Sequence, residues 1–78
     1  MNGPLFVGID VGSSATKCVI LDDAGLLVGH HVVASGFDYA ESAEEALAHA
    51  LLQASSARDD IVSCVSTGYG RQSISIAD

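Results

Sequence analysis

Leu5-Phe6-Val7-Gly8-Ile9-Asp10-Val11-Gly12-Ser13-Ser14-Ala15-Thr16-Lys17-Cys18-Val19-Ile20-Leu21 reads as two short, apolar runs joined by a Gly-Ser turn. The first run, Leu5 to Val11, follows Pro4 and is rich in Val, Ile and Phe, so it is expected to form a strand buried on both faces. Asp10 interrupts it near its C-terminal end. Ala15 to Leu21 resumes strand character with β-branched residues. Further out, Asp22-Asp23-Ala24-Gly25 is a hairpin signal and Leu26 to Ala34 supplies a third strand, which makes the first three a meander. Ser35 to Tyr39 reads as a loop. Ser42 and Glu45 have the spacing of a capping box and predict a helix start there. Ala43, Ala46, Leu47, Ala50, Leu51 and Ala54 then recur at helical spacing, a narrow stripe of mostly small residues suited to close packing on a sheet. Ile61 to Thr67 is a fourth strand, Gly68-Tyr69-Gly70-Arg71 a loop, and Gln72 to Asp78 the possible start of a fifth strand. The order β-β-β-α-β, with a helix as crossover, predicts an α/β mixed sheet with the helix on one face.

Composition narrows the function classes. The 78 residues carry 3 Lys+Arg against 10 Asp+Glu, a formal net charge of −7, and 49% are hydrophobic. With an isoelectric point near 4.4 and no basic cluster, the electrostatic footprint of a nucleic-acid or anionic-membrane binder is missing. A mean hydropathy of +0.39 with periodic apolar blocks argues against disorder. The N-terminus has no basic residue, and the apolar runs are too short for a membrane span or a signal peptide core, so a cytoplasmic location is expected. A domain of this size has a marginal core unless something else supports it. The two cysteines, Cys18 and Cys64, fall inside predicted strands without Cys-x-x-Cys spacing and read as small apolar core residues rather than metal ligands. His30 and His31, adjacent on a strand, point to opposite faces and cannot share one metal. His49 falls on the polar side of the helix and reads as a surface residue.

The chemistry-bearing feature is Gly8-Ile9-Asp10-Val11-Gly12-Ser13-Ser14-Ala15-Thr16-Lys17. A carboxylate at the end of a buried strand is costly unless it meets a cation or hydrogen-bond donors, and the Gly-Ser turn frees backbone N–H groups to face an anion. The residues alone admit a phosphate loop with a metal-facing Asp10, or a plain hairpin with a strand-end carboxylate. Lys17 reads either as a second phosphate contact or as a solvated strand residue. The spacing fits neither the P-loop nor the dinucleotide fingerprint.

GIDVGSSATKCVILDD, followed by a capped helix and STGYGR, resembles the ATPases that activate 2-hydroxyacyl-CoA dehydratases and the related ATPase subunits of benzoyl-CoA reductase. These belong to the superfamily of acetate and sugar kinases, Hsp70 chaperones and actin. The resemblance covers nearly the whole chain. It implies a ribonuclease H-like, actin-like ATPase fold in which residues 1–78 are a single partial domain, the first part of the N-terminal subdomain. It implies ATP with Mg²⁺ as ligands: Asp10 would organise the metal through water, Gly12, Ser13 and Ser14 would face the phosphates, and Lys17 would lie near them. Thr67, Gly68, Gly70 and Arg71 match the family's second loop beside the nucleotide. The implied activity is ATP hydrolysis coupled to low-potential electron transfer onto a dehydratase or reductase partner, through a 4Fe-4S cluster shared at a dimer interface. The family's cluster ligands have no counterpart in this chain, which by itself is expected to be inactive and to self-associate through an exposed strand edge. Two alternatives stand beside this reading: the N-terminal part of a sugar-kinase-type phosphotransferase, and an inert structural fragment.

Overall fold

The computed structural model describes residues 3–69. Strands β1 (Leu5–Val11), β2 (Ala15–Leu21) and β3 (Leu27–Ala34) precede helix α1 (Tyr39–Gln53), a 3₁₀ turn over Arg58–Asp60, and strand β4 (Ile61–Gly68). The sheet order is β3-β2-β1-β4. β1 and β3 both run antiparallel to β2, whereas β4 runs parallel to β1. That parallel pair needs a crossover, and α1 supplies it. The predicted α/β meander, crossover helix and fourth strand are all present. The sequence-predicted fifth strand, Gln72 to Asp78, lies outside the described residues. Among those described, no helix is long and apolar enough to cross a membrane.

Two local expectations are corrected. β1 is not buried on both faces: Leu5, Val7, Ile9 and Val11 are buried while Phe6 and Asp10 are exposed. The only α-helix among the described residues packs on one side, so a run that reads as continuously apolar alternates in practice. Phe6, Val19, Val32 and Val65 line the opposite, open face. The helix also starts earlier than the Ser42–Glu45 spacing suggests. Asp38 is the N-cap, and its Oδ1 accepts from the N–H groups of Ala40 at 3.0 Å and Glu41 at 3.2 Å. Asp caps as well as Ser, so the earlier residue captures the exposed donors. Ser42 is instead buried within the first turns, where its Oγ accepts from Gly36 N–H at 2.9 Å and donates to the Asp38 carbonyl at 3.3 Å.

The Ala-rich stripe meets the sheet as its spacing predicts, with Ala43, Ala46, Leu47, Ala50 and Leu51 buried. Small side chains let the two backbones approach closely at one point in particular. A Cβ added to Gly29 on β3 would lie 2.3 Å from the Ala50 carbonyl oxygen. His31, two residues further on the same strand, stacks on His49 with ring centroids 4.3 Å apart, and His49 is exposed, as its place on the polar side of the helix predicts. Arg58 bridges back to Glu44 with two hydrogen bonds and ties the 3₁₀ turn to α1. Gly29→Ala is expected to lower the urea midpoint by the equivalent of about 1–3 kcal/mol, the usual range for overpacking, with an unchanged denaturant slope. A wild-type midpoint would show that α1 can retreat from the sheet without loss.

Candidate functional site

The β1–β2 hairpin and the parallel β1–β4 ladder bring the sequence-predicted residues to one end of the sheet. Asp10 is the register partner of Lys17 on β2 and of Thr67 on β4. The three side chains therefore form a row on the open face, Thr67–Asp10–Lys17, at the carboxyl ends of the two parallel strands. That is the side of an α/β sheet where ligands bind, because helices and turns begin there and leave backbone donors exposed. A cavity of about 340 Å³ lies along this row, lined by Gly8, Ile9, Asp10, Lys17, Val19, Val65 and Thr67. A second depression of about 250 Å³ at the start of α1 is lined by Asp38, Glu41 and Glu45, whose carboxylates disfavour an anion.

The Gly-Ser turn closes the hairpin beside this row. Gly12 N–H donates to the Ala15 carbonyl at 2.9 Å, and Ser13 and Ser14 are exposed at its tip. Gly68 ends β4 with φ at +93°, and an added Cβ would stand 2.4 Å from the Val11 carbonyl oxygen and 2.8 Å from Asp10 Oδ1. Both the conformation and the space demand glycine here. The absent side chain keeps one side of the Asp10 carboxylate open. Gly70 and Arg71 of the predicted second loop lie outside the described residues.

Two hydroxyls that sequence reasoning passed over also reach the turn. Ser35, at the end of β3, donates from Oγ to the Gly12 carbonyl at 2.6 Å and from its backbone N–H to the Ser14 carbonyl at 2.9 Å. Thr16, fully buried, has its Oγ1 2.8 Å from Ser35 Oγ. The signal available for Thr16 was its place in the alternation of β2, which turns a hydroxyl toward the core where it needs a partner.

The donor chemistry fits one of the two implied inorganic groups. Mg²⁺ takes one or two carboxylates and otherwise water and phosphate oxygens, which suits a single exposed Asp10 beside an open face. A 4Fe-4S cluster does not fit. The chain has two cysteines, and they sit on β2 and β4, separated by β1 and thus by roughly 9–10 Å of sheet. Both are buried, and desolvation followed by the neighbouring Cys64 pushes the Cys18 thiol up to about 12, so it keeps its proton. These are core residues, as their place in the strands predicted.

An antiparallel three-strand meander with a helical crossover to a parallel fourth strand, and a Gly-Ser turn beside a strand-end Asp, is an arrangement of the ribonuclease H-like fold of actin-like ATPases. Residues 7–77 match the BadF/BadG/BcrA/BcrD ATPase family, and the chain belongs to it. It is 40% identical over 73 residues to the (R)-2-hydroxyglutaryl-CoA dehydratase activating ATPase of Acidaminococcus fermentans, a match covering 92% of this chain and 28% of that protein. The crystal structure of component A of the same organism's (R)-2-hydroxyglutaryl-CoA dehydratase superposes with a TM-score of 0.86 at 36% identity, over 97% of this chain and 29% of that one. The activator of the 2-hydroxyisocaproyl-CoA dehydratase from Clostridium difficile, solved with bound ADPNP, gives a TM-score of 0.84 at 35% identity over 95% and 27%. The chain thus spans less than a third of the length of these relatives.

Gly68→Ala is expected to destabilise the fold by about 1–3 kcal/mol from its left-handed backbone alone and to shift the Asp10 amide resonance. Tyr69→Ala, at an exposed neighbour, should leave the urea midpoint within about 0.5 kcal/mol. Equal effects from both would remove the special role given to Gly68.

Proposed function

We propose that this unit forms the phosphate-binding side of the nucleotide site of an ATPase that activates a 2-hydroxyacyl-CoA dehydratase. The observation that carries this reading is the Thr67–Asp10–Lys17 row beside the Gly12-Ser13-Ser14 turn, in a chain of this ATPase family. A relative bound to ADPNP supports the nucleotide, and relatives named as dehydratase activators favour this reading over a sugar-kinase-type phosphotransferase.

Phosphoryl transfer depends mainly on position and charge, and each residue has a part in that. Lys17 places an ammonium where phosphate oxygens would lie and offsets their charge. The Gly12-Ser13-Ser14 turn offers the Ser13 and Ser14 backbone N–H groups, with the Gly12 N–H engaged by Ala15 and no Cβ at Gly12 to block the approach, and Asp10 would accept hydrogen bonds from the waters around the metal. Mg²⁺, when bound with the nucleotide, neutralises charge on the phosphate oxygens. Gly68 keeps the approach to Asp10 open, with Thr67 adjacent, and Gly70 and Arg71 are assigned to the same loop. Residues 1–78 correspond in this reading to the first part of the N-terminal subdomain, and turnover needs the remainder of the relatives' length. Coupling to low-potential electron transfer belongs to that whole, in the cytoplasm, with a dehydratase or benzoyl-CoA reductase as partner. No step of it runs through Cys18 or Cys64.

Titration of the ¹⁵N-labelled chain with Mg²⁺–ADPNP tests the reading. Shifts should concentrate at Gly12, Ser13, Ser14, Asp10 and Thr67, and Asp10→Asn and Lys17→Met should each weaken binding by about tenfold, as expected for losing one charge-assisted contact. Absence of binding by the wild type at millimolar nucleotide would overturn it in favour of an inert structural unit. Steady Mg²⁺-ATP turnover by the 78-residue chain would instead overturn the need for the rest.

Self-association is proposed as well. Among the described residues β3 is an edge of the sheet, and an edge strand is a template for pairing with a second copy. Sedimentation at high micromolar concentration should show a dimer or larger species, and a purely monomeric profile would sink this proposal.

A further inference from the structure

The hydrogen bonds behind the Gly-Ser turn have a direction. Ser35 Oγ carries one proton and gives it to the Gly12 carbonyl at 2.6 Å. Thr16 Oγ1, 2.8 Å from the same Ser35 oxygen, must therefore be the donor in that contact. The chain runs from Thr16 through Ser35 to Gly12, and it starts from a residue with no solvent exposure, where linked hydrogen bonds polarise and strengthen one another. The backbone N–H of Ser35 holds the Ser14 carbonyl at 2.9 Å, so both ends of the turn are tied to one residue.

Peptide planarity converts this tie into an orientation. The Gly12 carbonyl and the Ser13 N–H belong to one trans peptide and point in opposite directions. Drawing the carbonyl toward Ser35 therefore aims the Ser13 N–H away from it, out of the turn. Without the Ser35 hydroxyl this peptide could rotate, because an exposed turn has few other contacts to fix it.

We infer that Ser35, backed by Thr16, is a positioning residue for the phosphate loop: it presets the Ser13 N–H toward an anion held beside Asp10 and Lys17 without touching that anion itself. The inference rests on the nucleotide reading for its ligand, but the preset orientation is a property of the chain alone.

The test compares wild type, Ser35→Ala, Ser35→Thr and Thr16→Val in the ¹⁵N-labelled 78-residue chain. Heteronuclear NOE values at Ser13 and Ser14, affinity for Mg²⁺–ADPNP and the urea midpoint are measured for each. Ser35→Ala should lower the NOE at both turn residues and weaken binding about five- to tenfold, the effect of one hydrogen bond. Ser35→Thr, which keeps the hydroxyl, should restore both, and Thr16→Val should fall between. If Ser35→Ala does not fold, Thr16→Val carries the comparison, since it removes the donor at constant shape. A lower urea midpoint with unchanged turn order and affinity would overturn the inference and leave Ser35 a stabilising contact. If wild type fails to bind Mg²⁺–ADPNP, the nucleotide reading falls, and turn order alone decides the role of Ser35: an unchanged NOE in Ser35→Ala rejects it.

Discussion

The parallel ladder between β1 and β4 sets Asp10 opposite Thr67 and Val11 opposite Gly68. It exists only because the chain between β3 and β4 crosses back over the sheet as α1, and α1 can pack there because Gly29 leaves room for the Ala50 carbonyl. A hairpin alone would place Asp10 beside Lys17. The added strand brings a second backbone to the carboxylate from the other side, and the left-handed Gly68 lets that backbone turn away without covering it. The site is thus a consequence of topology first and of side chains second, as is general for α/β sheets.

Much of this was legible in the sequence. The β-branched runs, the Asp22–Gly25 turn and the alanine stripe each follow a local rule, and each strand formed within a residue of its expected place, whereas the helix starts four residues early. In that turn, Asp22 Oδ1 accepts from the N–H groups of Ala24 and Leu26, each at 2.9 Å, a local bond that a short polar residue always offers. The errors came from competition between two adequate local signals. Asp38 and Ser42 can both cap a helix, and the sequence does not say which donors are exposed first. Likewise, an all-apolar strand looks the same whether one or both of its faces are covered.

For the site, the Asp10–Lys17 pair follows from the two-residue Ser13-Ser14 tip, because antiparallel register is symmetric about it and sets Gly12 opposite Ala15. Thr67 and Gly68 matched the family's second loop, but their placement against Asp10 depends on a register shift between Leu5 and Phe6, which no local pattern announces. Ser35 was hidden for a different reason. Its contact with Gly12 spans 23 residues and arises where the end of β3 folds over the turn, and a serine in a loop carries no mark of such a partner.

The segment from Ser35 to Asp38 is four residues long, yet it holds the Gly-Ser turn at one end and the start of α1 at the other. Gly36 N–H is bound to Ser42 within the helix, one residue from the hydroxyl that binds Gly12. A strand, a turn and a helix thereby share a single short strut. Because Ser35 and Gly36 are consecutive, the tip of the hairpin and the first turns of α1 are held to one another through bonds only one residue apart.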